Sequence, residues 1–296
     1  MKTKTVNRTG KSLVKKALVV KAKKAKTLDK NKIKESNEKL KKELDKKLAS
    51  SAGKLETKKE IKKEDKKYNL TIEVQDLLKA GCHLGHKVSK THPKIKEYLY
   101  QARDGIQLFD LNKSFEALEQ ACNFVYNAKR NGKQIALVGT KRQAKEVIRR
   151  VAVDAGVPYV TDRWVGGTIS NWNEIKKNIK KLNDLNAGLS EGGQYVQASK
   201  RELSILNKEK ARLEKLVGGL VKLEKLFDVL MVVDAGFERT AVKEAMESGL
   251  TVVAMVDSDS NPEQVHFPIP VNDDNVKSIT VVVEEIGRAI KAAGVK

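Results

Sequence analysis

Cys82, His83 and His86 fall within one short stretch, and these are side-chain types that ligate zinc. The Cys-His-x-x-His spacing matches no common structural zinc pattern, and no second Cys/His cluster completes a four-ligand set, so the triplet is a weak metal candidate. Val138-Gly139-Thr140-Lys141 ends an apolar run, which is where a phosphate-binding loop would stand. Such a loop needs a first glycine, four intervening residues and then an adjacent Gly-Lys pair, so that successive amides cradle phosphate. Here Thr140 separates Gly139 from Lys141, and the preceding glycine is Gly132, on the far side of the run. Val165-Gly166-Gly167-Thr168 lacks the third glycine of a dinucleotide fingerprint. With no complete constellation, neither an enzyme nor a cofactor is expected.

The same loops carry basic, aromatic and glycine residues, and the elements around them say where they gather. Gln134–Val138 reads as a buried strand followed by a helix from Lys141 to Ala155, and Pro158–Val160 as the next strand. Asp228–Val233 and Thr251–Val256 are further strands; the helix after the first runs over Thr240–Ser248, and a last helix over Val276–Ala293 follows a long loop. Thr71–Gly81 reads as a short helix with Thr71 as N-cap. Continuous apolar strands alternating with helices imply a parallel, doubly wound α/β sheet buried on both faces. In such a sheet the loops after the strands collect at the carboxyl edge. That gathers Lys141, Arg142, Arg163, Trp164, Gly166 and Gly167, with Asp234 and Asp257 closing two more strands. A flat aromatic, an Arg and closely approaching glycine backbone suit RNA. The competing reading packs Trp164 and pairs Arg163 with Asp234 or Asp257.

Residues 172–227 break the rhythm. Trp172, Ile175, Ile179 and Leu182 step at helical spacing, and Leu206, Leu213, Leu216, Leu220, Leu223 and Phe227 keep heptad spacing on the other side of a turn-rich break. The pattern predicts an antiparallel, coiled-coil-like helical hairpin inserted in the α/β domain. Its outer face carries Lys176, Lys177, Lys180 and Lys181, then Lys208, Lys210 and Arg212, either as solvated charge or as a docking surface.

The chain has 296 residues and a net charge of +21. Residues 1–67 hold 25 basic and 9 acidic side chains, or +16, which leaves +5 for residues 68–296. A like-charged segment poor in large apolar groups cannot offset its ordering entropy, so a basic, disordered N-terminal extension is expected, with a marginal helix around Leu28–Leu48. It reads as a solvated spacer, a nucleic-acid-binding arm or, ranked lower, a transit peptide. No apolar run is long enough to span a bilayer, and no membrane partner is expected. Two cysteines, Cys82 and Cys122, cannot form a disulfide framework, which favours a reducing compartment.

Gly81-Cys82-His83-Leu84-Gly85-His86, Pro93-Lys94, Ala102-Arg103-Asp104-Gly105-Ile106, Val138–Gln143 (VGTKRQ), Arg163–Thr168 (RWVGGT) and Ile269–Asp274 (IPVNDD) stand in the order of the bacterial small-ribosomal-subunit protein S-two family, which the chain resembles over about residues 70–293. The resemblance implies a flavodoxin-like domain, with a coiled-coil insertion at the predicted hairpin, bound to small-subunit ribosomal RNA between head and body. It implies neighbouring ribosomal proteins as partners, including the large message-binding initiation protein, a cytoplasmic, ribosome-bound location, and roles in subunit assembly and initiation. It places His83, His86, Lys94, Arg103, Lys141, Arg142, Arg163 and Trp164 at or beneath the RNA-contact surface. Lys87, Gly166, Gly167, Lys176, Lys177 and Lys180 complete the candidate set. Asp104 stands where the family often has Asn, Ala235-Gly236 replaces a Pro-basic pair, and Ser258-Asp259 replaces Thr-Asn. The alternatives are a nucleotide-dependent α/β enzyme and a nonspecific nucleic-acid-binding protein.

Overall fold

The computed structural model describes residues 67–294, apart from 191, 196 and 197. The N-terminal extension, with its expected disorder and marginal helix, lies outside the described residues. Eight strands are present in the described part. β1 (Leu84–Lys87), β2 (Leu99–Arg103) and β3 (Ile106–Phe109) form a small antiparallel sheet in the order β1-β3-β2. The main sheet is parallel: β4 (Ile135–Val138), β5 (Tyr159–Val160), β6 (Val229–Val232), β7 (Thr251–Val256) and β8 (Phe267–Pro270), in the order β5-β4-β6-β7-β8. Its helices are α1 (Val74–Lys79), α2 (Leu111–Arg130), α3 (Lys145–Ala155), α4 (Trp172–Gly188), α5 (Lys200–Val217), α6 (Arg239–Glu247) and α7 (Val276–Gly294).

The strand residues sort by parity, because successive side chains point to opposite faces. Ile135, Leu137, Val229, Met231, Val253 and Met255 pack on one side with α2, α3 and α7. Ala136, Val138, Leu230, Val232, Val252 and Ala254 pack on the other with α4, α5 and α6. Burial on both faces is why the central strands read as unbroken apolar runs. The strand order, counted from β4, is the flavodoxin-like order whose switch point lies between β4 and β6.

Several boundaries move for physical reasons. Thr71 does not cap the first helix. Its amide and hydroxyl bond the buried Glu285 carboxylate at 2.8 and 2.5 Å, and the helix starts at Val74 behind a Glu73/Asp76 capping box. The helix expected from Lys141 begins one turn later, at Lys145. The long loop before α7 contains β8, which carries Pro268 and Pro270 and, among the described residues, pairs only with β7. Proline is tolerated there because an edge strand needs donors on one side only.

The insertion consists of two helices that pack on each other. Ile175, Ile179, Leu182 and Leu185 of α4 and Leu213 and Val217 of α5 join the same core as β4 and β6. The heptad does not run to Phe227: α5 ends at Val217 before Gly218-Gly219, and Leu220, Leu223 and Phe227 enter the core from a turn.

Candidate nucleic-acid interface

Lys141 leaves β4 at the switch point, but it turns inward. Its ammonium lies 2.9 Å from Asp234, 2.7 Å from Asp273 and 2.7 Å from Asp274, with the side chain 13% exposed. Burial alone would lower its pKa, yet the Asp273, Asp274 and Asp234 carboxylates outweigh it and hold the ammonium protonated. Burial, with Asp234 and Asp257 beside it, pushes the Asp273 carboxyl up to about 8 against the pull of Lys141. Its Oδ2 has no hydrogen-bond partner among the described residues. Next to this cluster the Thr140 amide donates to Glu238 at 2.7 Å. The crevice where doubly wound folds seat ligands is therefore closed by internal bonds, and the amide a phosphate loop would present is already used. The centre of the edge is acidic and would repel RNA.

Arg142 and Arg163 flank that centre, and both are exposed with no carboxylate partner among the described residues. The alternative pairing of Arg163 with Asp234 or Asp257 does not form, since Lys141 takes Asp234 and His86 takes Asp257. Trp164 is packed, 8% exposed, and its indole N–H donates to Glu244 at 3.0 Å. The same carboxylate accepts from the amides of Gly167, Ile169 and Ser170 and from the Ser170 hydroxyl, at 2.9–3.2 Å. Gly167 has φ +91, a conformation other residues rarely adopt. Trp164, Gly167 and Glu244 thus fix the loop that aims Arg163 outward. Glu244 carries no signal in the sequence, because its partners lie 74 to 80 residues away.

His86 docks the small sheet onto the carboxyl end of β7. Nδ1 lies 3.2 Å from Asp257, Nε2 3.5 Å from Asp274 and 3.9 Å from Asp259, and the His86 amide donates to the Ser258 hydroxyl at 2.7 Å. The Asp257 hydrogen bond, outweighing burial of the ring, raises its pKa to about 9, and Asp259 and Asp274 add to the shift. The ring is therefore an imidazolium at neutral pH. A histidine pKa raised in the fold stabilises fully below the unfolded value near 6.5 and loses that contribution as pH rises through about 9. Allowing for solvent screening of a partly exposed ring, the loss should be about 1–2 kcal/mol. Thermal melts between pH 6 and 9.5 should show it, and His86→Gln should flatten that part of the curve; an unaltered pH dependence in the variant would refute the assignment.

The suggested metal triplet is parted. Cys82 is buried in the core, where burial pushes its thiol up to about 11, while His86 faces the aspartates. His83 is half-buried, and its Nδ1 has no hydrogen-bond partner among the described residues. Among the described residues no group of His, Cys, Asp and Glu is arranged to hold a metal ion. Lys87 and Arg103 stand opposite Ile106 on either side of the central strand of the small sheet, and the Arg103 guanidinium lies 3.7 Å from its neighbour Asp104. Asp104 and Gly105, at φ 52 and 75, make the tight turn between β2 and β3, a left-handed position that Asp tolerates as Asn does. Lys94 pairs with Glu263. On α4, Lys176 and Lys180 are exposed without an ion pair among the described residues, whereas Lys177 pairs with Glu174 at 2.6 Å. Gly188, Ser190 and Gly192 have the spacing of a nucleophile elbow, but Gly188 ends helix α4 rather than following a strand, and the Ser190 hydroxyl donates to the Ala187 carbonyl at 2.6 Å.

Together these features define a doubly wound α/β protein whose switch point is sealed by its own ion pairs, with the exposed Arg142 and Arg163 on the loops at that edge. The sequence profile described as Ribosomal protein S2 matches residues 77–293. The chain is 42% identical over 219 residues to the small ribosomal subunit protein uS2 of Oenococcus oeni, covering 74% of this chain and 84% of that protein. It is 41% identical over 219 residues to the uS2 of Coprothermobacter proteolyticus, covering 74% and 81%. The chain belongs to the ribosomal protein S2 family, structural constituents of the small ribosomal subunit and not a family of enzymes. Among the described residues no helix is long and apolar enough to cross a membrane.

Proposed function

We propose that this chain binds small-subunit ribosomal RNA between head and body, through cations around the carboxyl edge and on α4, and that it supports subunit assembly and translation initiation on cytoplasmic ribosomes. The observation that carries this reading is the pair Arg142 and Arg163: exposed, without carboxylate partners among the described residues, and the second held outward by the Glu244 loop. Lys87 and Arg103 on the small sheet and Lys176 and Lys180 on α4 extend the cationic surface. Lys141, Trp164, His86 and Gly167 support it from beneath. The message-binding initiation protein and other small-subunit proteins are the proposed protein neighbours, and the basic extension a further arm for phosphates.

A nucleotide-dependent enzyme is not supported, because the crevice it would use is filled. Nor is a nonspecific nucleic-acid binder, given the family. In reconstitution with small subunits lacking this protein, Arg142→Ala with Arg163→Ala should weaken association about tenfold or more while the melting temperature stays within about a degree or two, since phosphate contacts position the protein. Equal association by the variant would overturn the reading, and collapse of the melt would make the two arginines structural.

A further inference from the structure

Two cavities open where the β5 edge of the main sheet meets α5. One, of about 470 Å³, runs from Arg149 past Tyr159 and Thr161 to Lys215. The other, of about 460 Å³, is bounded by Arg163, Lys208, Arg212 and Lys215. They share Asp162, Ala211, Lys215 and Leu216, so they form one continuous groove.

Cations outnumber acids in the lining of this groove. Arg149, Arg163, Lys208 and Lys215 are exposed and have no carboxylate partner among the described residues. Cations nearby are different: Arg150 pairs with Glu284 at 2.5 Å, and Lys181 and Arg212 share Glu209 at 2.7 and 2.8 Å. The acids lining the groove are Asp162 and Glu214, and Asp162 already lies 3.3 Å from the Lys145 ammonium. Four unpaired cations converging on one trough attract a polyanion.

The floor of the groove narrows the choice of polyanion. β5 is an edge strand, which ordinarily invites another peptide to add a strand. The turn Gly218–Leu220 lies over that edge: a Cβ at Gly219 would overlap the Tyr159 carbonyl oxygen, so glycine brings one backbone directly onto the other. An acidic peptide cannot pair with a strand covered in this way. A phosphodiester chain needs no such pairing, only donors for its oxygens.

We propose that this groove seats the backbone of small-subunit ribosomal RNA, with the Arg149 and Arg163 guanidiniums toward its two ends and the Lys215 ammonium between them; this rests on the RNA-binding reading above and extends that surface from Arg163 along the β5 edge to Arg149. The guanidinium forks suit two phosphate oxygens at once, and the ammonium acts as a point charge. Contacts of this kind fix position without reading bases.

The test uses the full-length chain and small-subunit particles reconstituted without it. Arg149→Gln with Lys215→Gln should weaken association about tenfold near physiological salt, and the log–log salt slope should become shallower by about 2. Arg150→Gln with Lys291→Gln removes the same charge from cations paired outside the groove and should leave affinity and slope as in the wild type. Failure of the wild-type chain to bind particles would overturn the RNA-binding reading and this one with it. Wild-type binding with an unchanged slope in the groove variant would overturn the groove alone. If the groove variant lost affinity for a polyglutamate peptide and kept it for particles, the groove would belong to an acidic protein and the proposal would fall.

Discussion

Replacing Lys141 with methionine is expected to destabilise the folded domain by about 3–5 kcal/mol at neutral pH, the range for removing one partner from a buried ionic cluster. The methionine fills much of the same volume, so the loss is electrostatic rather than a cavity. Asp234, Asp273 and Asp274 now face one another without the ammonium that sits 2.7–2.9 Å from each. Denaturant unfolding at pH 6.5 and 9 tests the cause. At pH 6.5 the Asp273 carboxyl, raised to about 8 with Lys141 present and higher without it, holds its proton in both proteins; as pH rises through about 8 the wild type ionises it against the ammonium, and the variant has no such partner. The penalty should therefore grow as pH rises through about 8. A direct phosphate contact would behave in the opposite way: stability would be untouched, RNA association would drop, and the ammonium would be assigned wrongly above.

That contrast shows what the sequence could and could not give. The parallel core was legible because burial on both faces writes itself as an unbroken apolar run: Thr251–Val256 emerges with its expected bounds, and Ile135–Val138 and Val229–Val232 lie inside theirs. The edge strand Phe267–Pro270 was not, because prolines argue against a strand unless its open side is known. The small antiparallel sheet was equally silent, being short and exposed over most of its residues. At the site, the residue types at the carboxyl edge were correctly gathered by topology. Their direction was not. Lys141 and Arg142 are adjacent in a basic string, yet one is sunk among aspartates and the other exposed, and the difference lies in acids more than ninety residues further along the chain.

Glu244 presents the same problem in its strongest form, and Glu244→Ala is the second substitution with a large expected effect. Its two oxygens accept five hydrogen bonds from the loop that carries Arg163: Oε1 from the Ile169 and Ser170 amides and the Ser170 hydroxyl, Oε2 from the Trp164 indole and the Gly167 amide. Hydrogen bonds to a charged acceptor contribute more than neutral ones, and half-buried donors left without it bear a desolvation cost, so the loss should be about 2–4 kcal/mol. Burial alone would raise the Glu244 pKa, but the donors of Ser170, Trp164 and Ile169 outweigh it and hold the carboxyl below the usual range. An acid with a depressed pKa stabilises fully above its unfolded value near 4.5 and loses that contribution as pH falls through the lower folded value. The wild type should therefore lose part of its margin over the variant in strong acid. Glu244→Gln should do little better than alanine, because an amide nitrogen would face donors where an oxygen now accepts. At a temperature where the variant remains folded, freeing the loop should also weaken association with small-subunit particles about tenfold, as Arg163 gives up its fixed direction. A variant that melts like the wild type and binds as well would leave Glu244 a surface carboxylate and the outward aim of Arg163 unexplained.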